Sequence, residues 1–334
     1  MRRFVLMSLL AIPSLAFAQN TPASASTPAA SNSPAKPLSA EKQIRKAVSF
    51  IKMTCTSGGK VYESRGTGFF VAYPDTRIGD HGAFIYLVTN RHVAECWDDD
   101  RRPRTVQAVD ITLNLREGNS ATLHNDGNMP WILPAVSSVD LAAIPLMPDL
   151  ARFDYIVVST SDFVKDDEAL SEGNKIMFSG FFYQFPGVHR MQPIVREGIL
   201  AMLPDEDMTT TTGKPGKVYL GDVHIFHGNS GSPVMVNLGG IRGGMISSDS
   251  YRMLGVVSGL YDEDTDFNLT VTTTLAGTVH GNSGIAMIVP ASQLKALLDD
   301  PRLQADRDVQ VPLIQKREAQ KKPEAEKRSA NDAK

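Results

Sequence analysis

Residues 228–244 read "GNSGSPVMVNLGGIRGG", and their reading decides the class of fold. A turn of small residues comes first, with Gly228 and Gly231 flanking Asn229 and Ser230; glycine permits backbone angles that other residues resist. The turn runs into "SPVMVNL" (232–238), whose valines suit a pleated, half-buried chain. A glycine-rich hairpin signal follows, and then another apolar run, "MLGVVSGL" (253–260).

The same alternation of short apolar runs and turn residues extends outward in both directions. "VSFIKMTC" (48–55), "GTGFFVAY" (66–73), "AFIYLVTN" (83–90), "QAVDITLNL" (107–115), "KIMFSGFFY" (175–183), "KVYLGDVHIF" (217–226) and "IAMIVP" (285–290) are rich in β-branched and aromatic residues. Their lengths and their Gly, Pro, Asn and Asp borders predict strands, and so many in succession predict an all-β barrel or sandwich. Helical signals are weak until "SQLKALLDD" (292–300), where Ser292 is placed to cap a short amphipathic helix with Leu294, Leu297 and Leu298 on one face.

The 334 residues suffice for one or two cores, with 42% hydrophobic and 21% charged residues in an ordinary globular balance. A net charge of -3, with no basic stripe among aromatics, excludes nucleic acid as the main partner. The opening "MRRFVLMSLLAIPSLAFAQN" has the layout of a signal peptide over 1–18, ending in Ala16-Phe17-Ala18. Its apolar run is broken by Pro13 and falls short of a bilayer span, so the expected product is periplasmic or secreted, with no membrane span after cleavage. Residues 19–39, rich in Ala, Ser and Pro, are expected to be a disordered leader, and the globular region to cover 40–300. The charged residues 301–334 are expected to form a disordered, solvated tail. In an exported chain Cys55 and Cys96 are either a disulfide or two separate buried thiols.

The chemistry is carried by a pentapeptide that occurs twice, "HGNSG" at 227–231 and again at 280–284, raising Ser230 and Ser283 as candidate nucleophiles. The flanks are not similar, so the pair is either coincidence or shared turn chemistry. A serine needs a base, and the base needs a carboxylate that fixes its tautomer. Of seven histidines, His92 in "TNRHVAEC" is delivered to a strand end by an apolar run. Asp140 in "SSVDLAAIPL" enters an apolar strand, where an unpaired carboxylate is costly; its rival Asp110 reads as a strand-edge charge facing water. Ser230 is favoured over Ser283 because enough chain follows it to wall a cleft. The amides of Gly228 and Ser230 are then placed to meet a developing oxyanion. His92, Asp140 and Ser230 stand in the His…Asp…Ser order of one known triad architecture.

"TNRHV" (89–93), "VDLAAI" (139–144) and "GNSGSPV" (228–234) resemble the three signature segments of trypsin-like serine peptidases of the chymotrypsin fold. The resemblance is to the bacterial exported branch that includes high-temperature-requirement-type proteases. "EGNKIMFSGF" (172–181), "REGIL" (196–200), "LGVVSGL" (254–260) and "SGIAMIVPASQL" (283–294) extend it over about 48–298. It implies an all-β fold of two perpendicular six-stranded antiparallel barrels, one over about 45–150 and one over about 155–290, closed by a short C-terminal helix at 291–299. It also implies a cleft between the barrels, in which His92 is general base and acid, Asp140 orients it and Ser230 attacks. Ser258 would lie beside the aspartate. Val257, Gly259, Leu260 and Gly284 would edge the specificity pocket, with Ser283 shaping recognition, and His224 would be either its floor or a surface residue.

The implied partner is a peptide or protein substrate. No cofactor is implied, and no residue cluster has zinc or calcium spacing. Asn229 departs from the aspartate with which zymogen-type relatives bind a freed N-terminus, and Ser232 replaces a common second glycine. The residues after Leu298 are too few for a peptide-binding PDZ domain. The competing expectation is a catalytically silent relative that binds peptides or a partner; an esterase of the same fold is a third.

Overall fold

The computed structural model describes residues 38–332 apart from 128, 166–169, 243–244 and 271–273. The expected signal peptide, and the leader up to residue 37, lie outside the described residues.

After a short helix α1 (Ala40–Lys46), the first lobe is built from β1 (Val48–Ser57), β2 (Lys60–Pro74), β3 (Ala83–Thr89), β4 (Thr105–Asn114), β5 (Ser120–Asn125) and β6 (Ala142–Pro145). These pair in the order β5-β4-β1-β2-β3-β6, and a short seventh strand, β7 (Val158–Ser159), runs parallel to β2. The β1–β2 hairpin turns through Gly58 and Gly59, at φ 56° and 77°. Positive φ at both central residues makes the tight turn whose twist matches that of paired strands.

The second lobe contains β8 (Lys175–Gly180), β9 (Ile194–Met202), β10 (Met208–Thr209), β11 (Pro215–Gly216), β12 (Tyr219–Asp222), β13 (Pro233–Asn237), β14 (Gly240–Arg242), β15 (Met245–Ser247), β16 (Tyr251–Thr270) and β17 (Thr274–Pro290). Six of these strands close a barrel in the order β12-β17-β16-β13-β8-β9, while β10–β11 and β14–β15 are separate small hairpins. The chain is thus mostly β, with a seven-stranded sheet in the first lobe, a closed six-stranded antiparallel barrel in the second, and a short helix after the last strand.

Three clusters of buried side chains fill this frame. Ile51, Phe70, Leu87 and Ile111 belong to the core of the first lobe, and Phe178, Leu200, Val234 and Ile288 to that of the second. The third cluster lies between the lobes and joins Phe69, Val71, Tyr86 and Val88 of the first to Phe181, Met253, Val256 and Val289 of the second. Period-2 alternation explains how β2 serves two cores: Phe69 and Val71 face the second lobe, Phe70 and Ala72 face their own. The end of β3 is thus clamped between two cores, and His92 is three residues beyond it.

Two expectations need correction. Helix α3 (Ala291–Leu298) buries Leu294, Leu297 and Leu298 as expected, but its N-cap is Pro290, and Ser292 lies inside the first turn without capping. The charged tail is a helix, α4 (Pro301–Asp332), not a disordered segment. Its composition conceals a sparse stripe: Leu303, Arg307, Val311 and Ile314, spaced by three or four residues, are buried on one face. Arg307 is fully buried and donates to the Tyr86 hydroxyl at 2.8 Å, to the Leu298 carbonyl at 3.0 Å and to Gln304 at 2.9 Å, while its guanidinium lies 4.1 Å from the Tyr73 ring centroid. Burial pushes the Tyr86 phenol up to about 12.

Cys55 of β1 and Cys96, just beyond a single-turn helix α2 (Arg91–Ala94), form a disulfide with a Cα separation of 6.5 Å. The bridge ties the helix that carries His92 to the first-lobe sheet. Closing a loop of 41 residues removes about 4 kcal/mol of chain entropy from the unfolded state at 25 °C. Replacing both cysteines by alanine is therefore expected to lower unfolding free energy by roughly 4 kcal/mol, read from urea melts; a change within experimental error would contradict that role.

Candidate active site

His92 begins α2's second position, Asp140 stands just before β6, and Ser230 sits in the turn before β13. The structure joins the first two directly. His92 Nδ1 lies 2.7 Å from Asp140 Oδ2, and the His92 backbone N–H donates to Asp140 Oδ1 at 3.0 Å. An ionised carboxylate only accepts, so Nδ1 carries the ring proton and Nε2 is left with a lone pair. Asp140 is fully buried. Its neighbour Asn90, also buried, donates to the Asp140 carbonyl at 2.8 Å, so main chain and side chain are both held.

Burial raises the cost of charge on both members of the pair, and each offsets it for the other. Desolvation alone would depress the His92 pKa, but the Asp140 charge and hydrogen bond outweigh it and hold the imidazole above its ordinary value. Desolvation likewise opposes ionisation of Asp140, and His92 together with a hydrogen bond from Thr211 holds the carboxyl below the usual range.

The Ser230 turn is fastened to the same strands. Thr67 N–H donates to the Ser230 carbonyl at 2.8 Å, Thr67 Oγ1 donates to the Gly228 carbonyl at 2.7 Å, and Thr89 Oγ1 donates to the Thr67 carbonyl at 2.8 Å. Gly66 sits between the His92 and Ser230 segments: a Cβ there would meet both Val93 methyls at 2.9 Å and the Ser230 carbonyl at 3.2 Å. A side chain at position 66 would therefore press on both Val93 and the Ser230 turn. Among the described residues no hydrogen bond joins the Ser230 hydroxyl to His92, whose ring is bonded to Asp140.

Gly228 and Gly231 take φ of 98° and 88°, values that a side chain would strain. Asn229 N–H donates to the Phe226 carbonyl and Gly231 N–H to the Val257 carbonyl, both at 2.9 Å. The Gly228 and Ser230 amides, before and between them, have no acceptor among the described residues. Asn229 staples the turn from within: its Oδ1 accepts from Phe226 N–H at 2.8 Å and its Nδ2 donates to the Phe181 carbonyl at 3.1 Å.

Of the residues expected at or beside the specificity pocket, Val257, Ser258, Gly259 and Leu260 lie on β16 and Gly284 on β17, while His224 lies between β12 and β13. Val257 is buried, and its N–H donates to the Ser232 carbonyl at 2.9 Å; Gly259 pairs with Met287 and Leu260 with Ala286. Gly284, at φ 80°, lies under the His224 ring, whose Cε1 is 3.2 Å from where a Cβ would stand. His224 itself is exposed. Ser258 Oγ donates to Asp140 Oδ2 at 2.9 Å.

The second pentapeptide is in a different conformation, being part of β17, with His280 paired to Asp264 across the hairpin. Ser283 Oγ donates to the Tyr261 carbonyl at 2.5 Å and accepts from Ile285 N–H at 3.2 Å. Asp110 also finds a histidine, His124, at 2.6 Å, but His124's other ring nitrogen faces Asp126 at 3.1 Å and has no lone pair to offer a serine. Thr211 escaped the sequence reading. Its Oγ1 lies 2.8 Å from Asp140 Oδ2 and 2.6 Å from Ser258 Oγ. The one sequence signal was the unusual run "TTTT" at 209–212.

No family model and no curated protein matches the chain. Among solved structures the chain is similar to one titled "Crystal structure of Deg5", at 17% identity and a TM-score of 0.40, over 65% of this chain and 81% of that one.

Proposed function

We propose that this protein is an exported serine endopeptidase that hydrolyses peptide bonds through an acyl-enzyme intermediate, of the high-temperature-requirement-type branch that its motifs resemble. One observation carries the reading: a buried aspartate orients His92 at 2.7 Å, while Ser230 sits in a turn whose two flanking glycines take positive φ. In the proposed cycle His92 Nε2 takes the Ser230 proton as Oγ attacks the scissile carbonyl. Asp140 stabilises the imidazolium, and the Gly228 and Ser230 amides receive the oxyanion. His92 then passes the proton to the leaving amine, and water repeats the sequence on the acyl-enzyme. Substrate enters along Val257, Gly259 and Leu260, with its side chain toward Gly284 and His224. Export to the periplasm or beyond agrees with the amino-terminal pattern and with the Cys55–Cys96 bridge, since disulfides persist in oxidising compartments.

A fluorophosphonate probe, followed by peptide mapping, tests the reading. Phosphonylation at Ser230 with loss of fluoride is the expected result; an unmodified protein would favour the silent, peptide-binding alternative. Because only neutral imidazole accepts a proton and the Asp140 charge holds the His92 pKa above its ordinary value, kcat/KM should be lost as pH falls through that raised pKa. Activity unchanged down to mildly acid pH would rule out His92 as the base.

A further inference from the structure

The stretch "DMTTTTGKPGK" (207–217) forms the β10–β11 hairpin, which reaches from the second lobe to the first. Three side-chain contacts fasten it there. Arg101 Nε donates to the Thr211 carbonyl at 2.9 Å, Lys214 Nζ donates to Ser137 Oγ at 2.8 Å, and Thr211 Oγ1 meets Asp140 Oδ2 at 2.8 Å. Internal bonds stiffen the hairpin: Thr210 N–H donates to the Lys214 carbonyl at 2.9 Å, and the buried Thr210 and Thr212 hydroxyls lie 2.9 Å apart. Gly259 makes room for it, since a Cβ there would press on Thr211 Cγ2 at 2.5 Å.

Thr211 and Ser258 bring two hydroxyl protons to three oxygen contacts: each with Asp140 Oδ2, and one with the other. When both protons are engaged, one or both reach the carboxylate. The oxygen that accepts from His92 Nδ1 is therefore also held from the second lobe. The nearby cations are otherwise occupied, Arg91 with Glu95 at 2.7 Å and Arg101 with the Thr211 carbonyl.

We propose that Thr211 is a positioning residue for the His92–Asp140 pair, its hairpin clasping the lobes together and its hydroxyl keeping Asp140 Oδ2 in line with His92 Nδ1. The role in turnover rests on the triad reading above; the hold on the carboxylate does not. Thr211→Val keeps the shape and removes the hydroxyl. It is expected to lower kcat/KM about ten-fold, the size of one hydrogen bond to a charged group. It should also raise the His92 pKa, read from the carbon-13 resonance of its Cε1, because the carboxylate charge is no longer shared with a hydroxyl. Thr211→Ser should restore both.

Parent-like values for Thr211→Val, or a serine variant as impaired as the valine one, would overturn the proposal. If the parent cleaves no peptide, the triad reading fails, and the His92 titration still decides: an unshifted pKa in Thr211→Val overturns the role of Thr211. If Thr211→Val does not fold, Arg101→Met frees the hairpin's carbonyl tie and is expected to lower kcat/KM in the same direction; no loss would overturn the clasp.

Discussion

Ser230→Ala is expected to lower kcat by about six orders of magnitude, because removing the nucleophile of such a unit costs as much as removing the whole unit. The oxyanion amides and the binding cleft would survive, so the residual rate should exceed that of uncatalysed hydrolysis by about three orders of magnitude. Ser283→Ala should still react with a fluorophosphonate. Its hydroxyl is engaged by the Tyr261 carbonyl and Ile285 N–H within the β16–β17 hairpin. Active-site titration of both variants separates the twins. Labelling that survives in Ser230→Ala and disappears in Ser283→Ala would reverse the assignment.

Asp140→Asn should cost about four orders of magnitude in kcat, with the fold retained. The reason lies in what faces each carboxylate oxygen. Oδ1 accepts from the His92 backbone N–H, and Oδ2 faces His92 Nδ1, Thr211 Oγ1 and Ser258 Oγ. An asparagine has one acceptor and one donor for two positions that both want an acceptor. Placed with its amide toward the ring, it forces His92 to offer a lone pair at Nδ1, which puts the proton on Nε2 and leaves no base for Ser230. Placed the other way, it sets two N–H groups against each other at the His92 backbone. Nitrogen-15 shifts of the imidazole would report the tautomer directly. A variant with near-parent kcat would remove Asp140 from the mechanism.

Much of this was legible along the chain. The strands at 48–55, 66–73, 83–90 and 107–115 fall within or beside observed strands because period-2 patterning is a local property of half-buried sheet. Helix α3 was readable from its leucines. Helix α4 was not: its stripe is thin, and one of its buried positions is an arginine whose partners, Tyr86 and Tyr73, are more than 200 residues away. The choice of Asp140 over Asp110 illustrates the limit more sharply. Both aspartates stand in apolar strand contexts, and both meet a histidine within 3 Å. Only burial of Asp140 between the lobes, against exposure of His124 beside a second carboxylate, separates a candidate catalytic pair from a surface one.

The twin pentapeptides draw the boundary between the two kinds of information. Residue order alone specified an all-β chain, the histidine at a strand end and a serine between glycines, since turn preference and side-chain alternation are written in neighbouring residues. The pentapeptides at 227–231 and 280–284 are identical letter for letter, so the preference for Ser230 came from the chain that follows it and not from the motif itself. The first became a turn because Thr67 and Val257 bind its backbone from two lobes, and the second became strand because β16 lies alongside to pair with it. Those partners are distant in sequence, as are Thr211 and Ser258 from Asp140. Their contributions exist only after long-range packing has brought them within hydrogen-bonding distance.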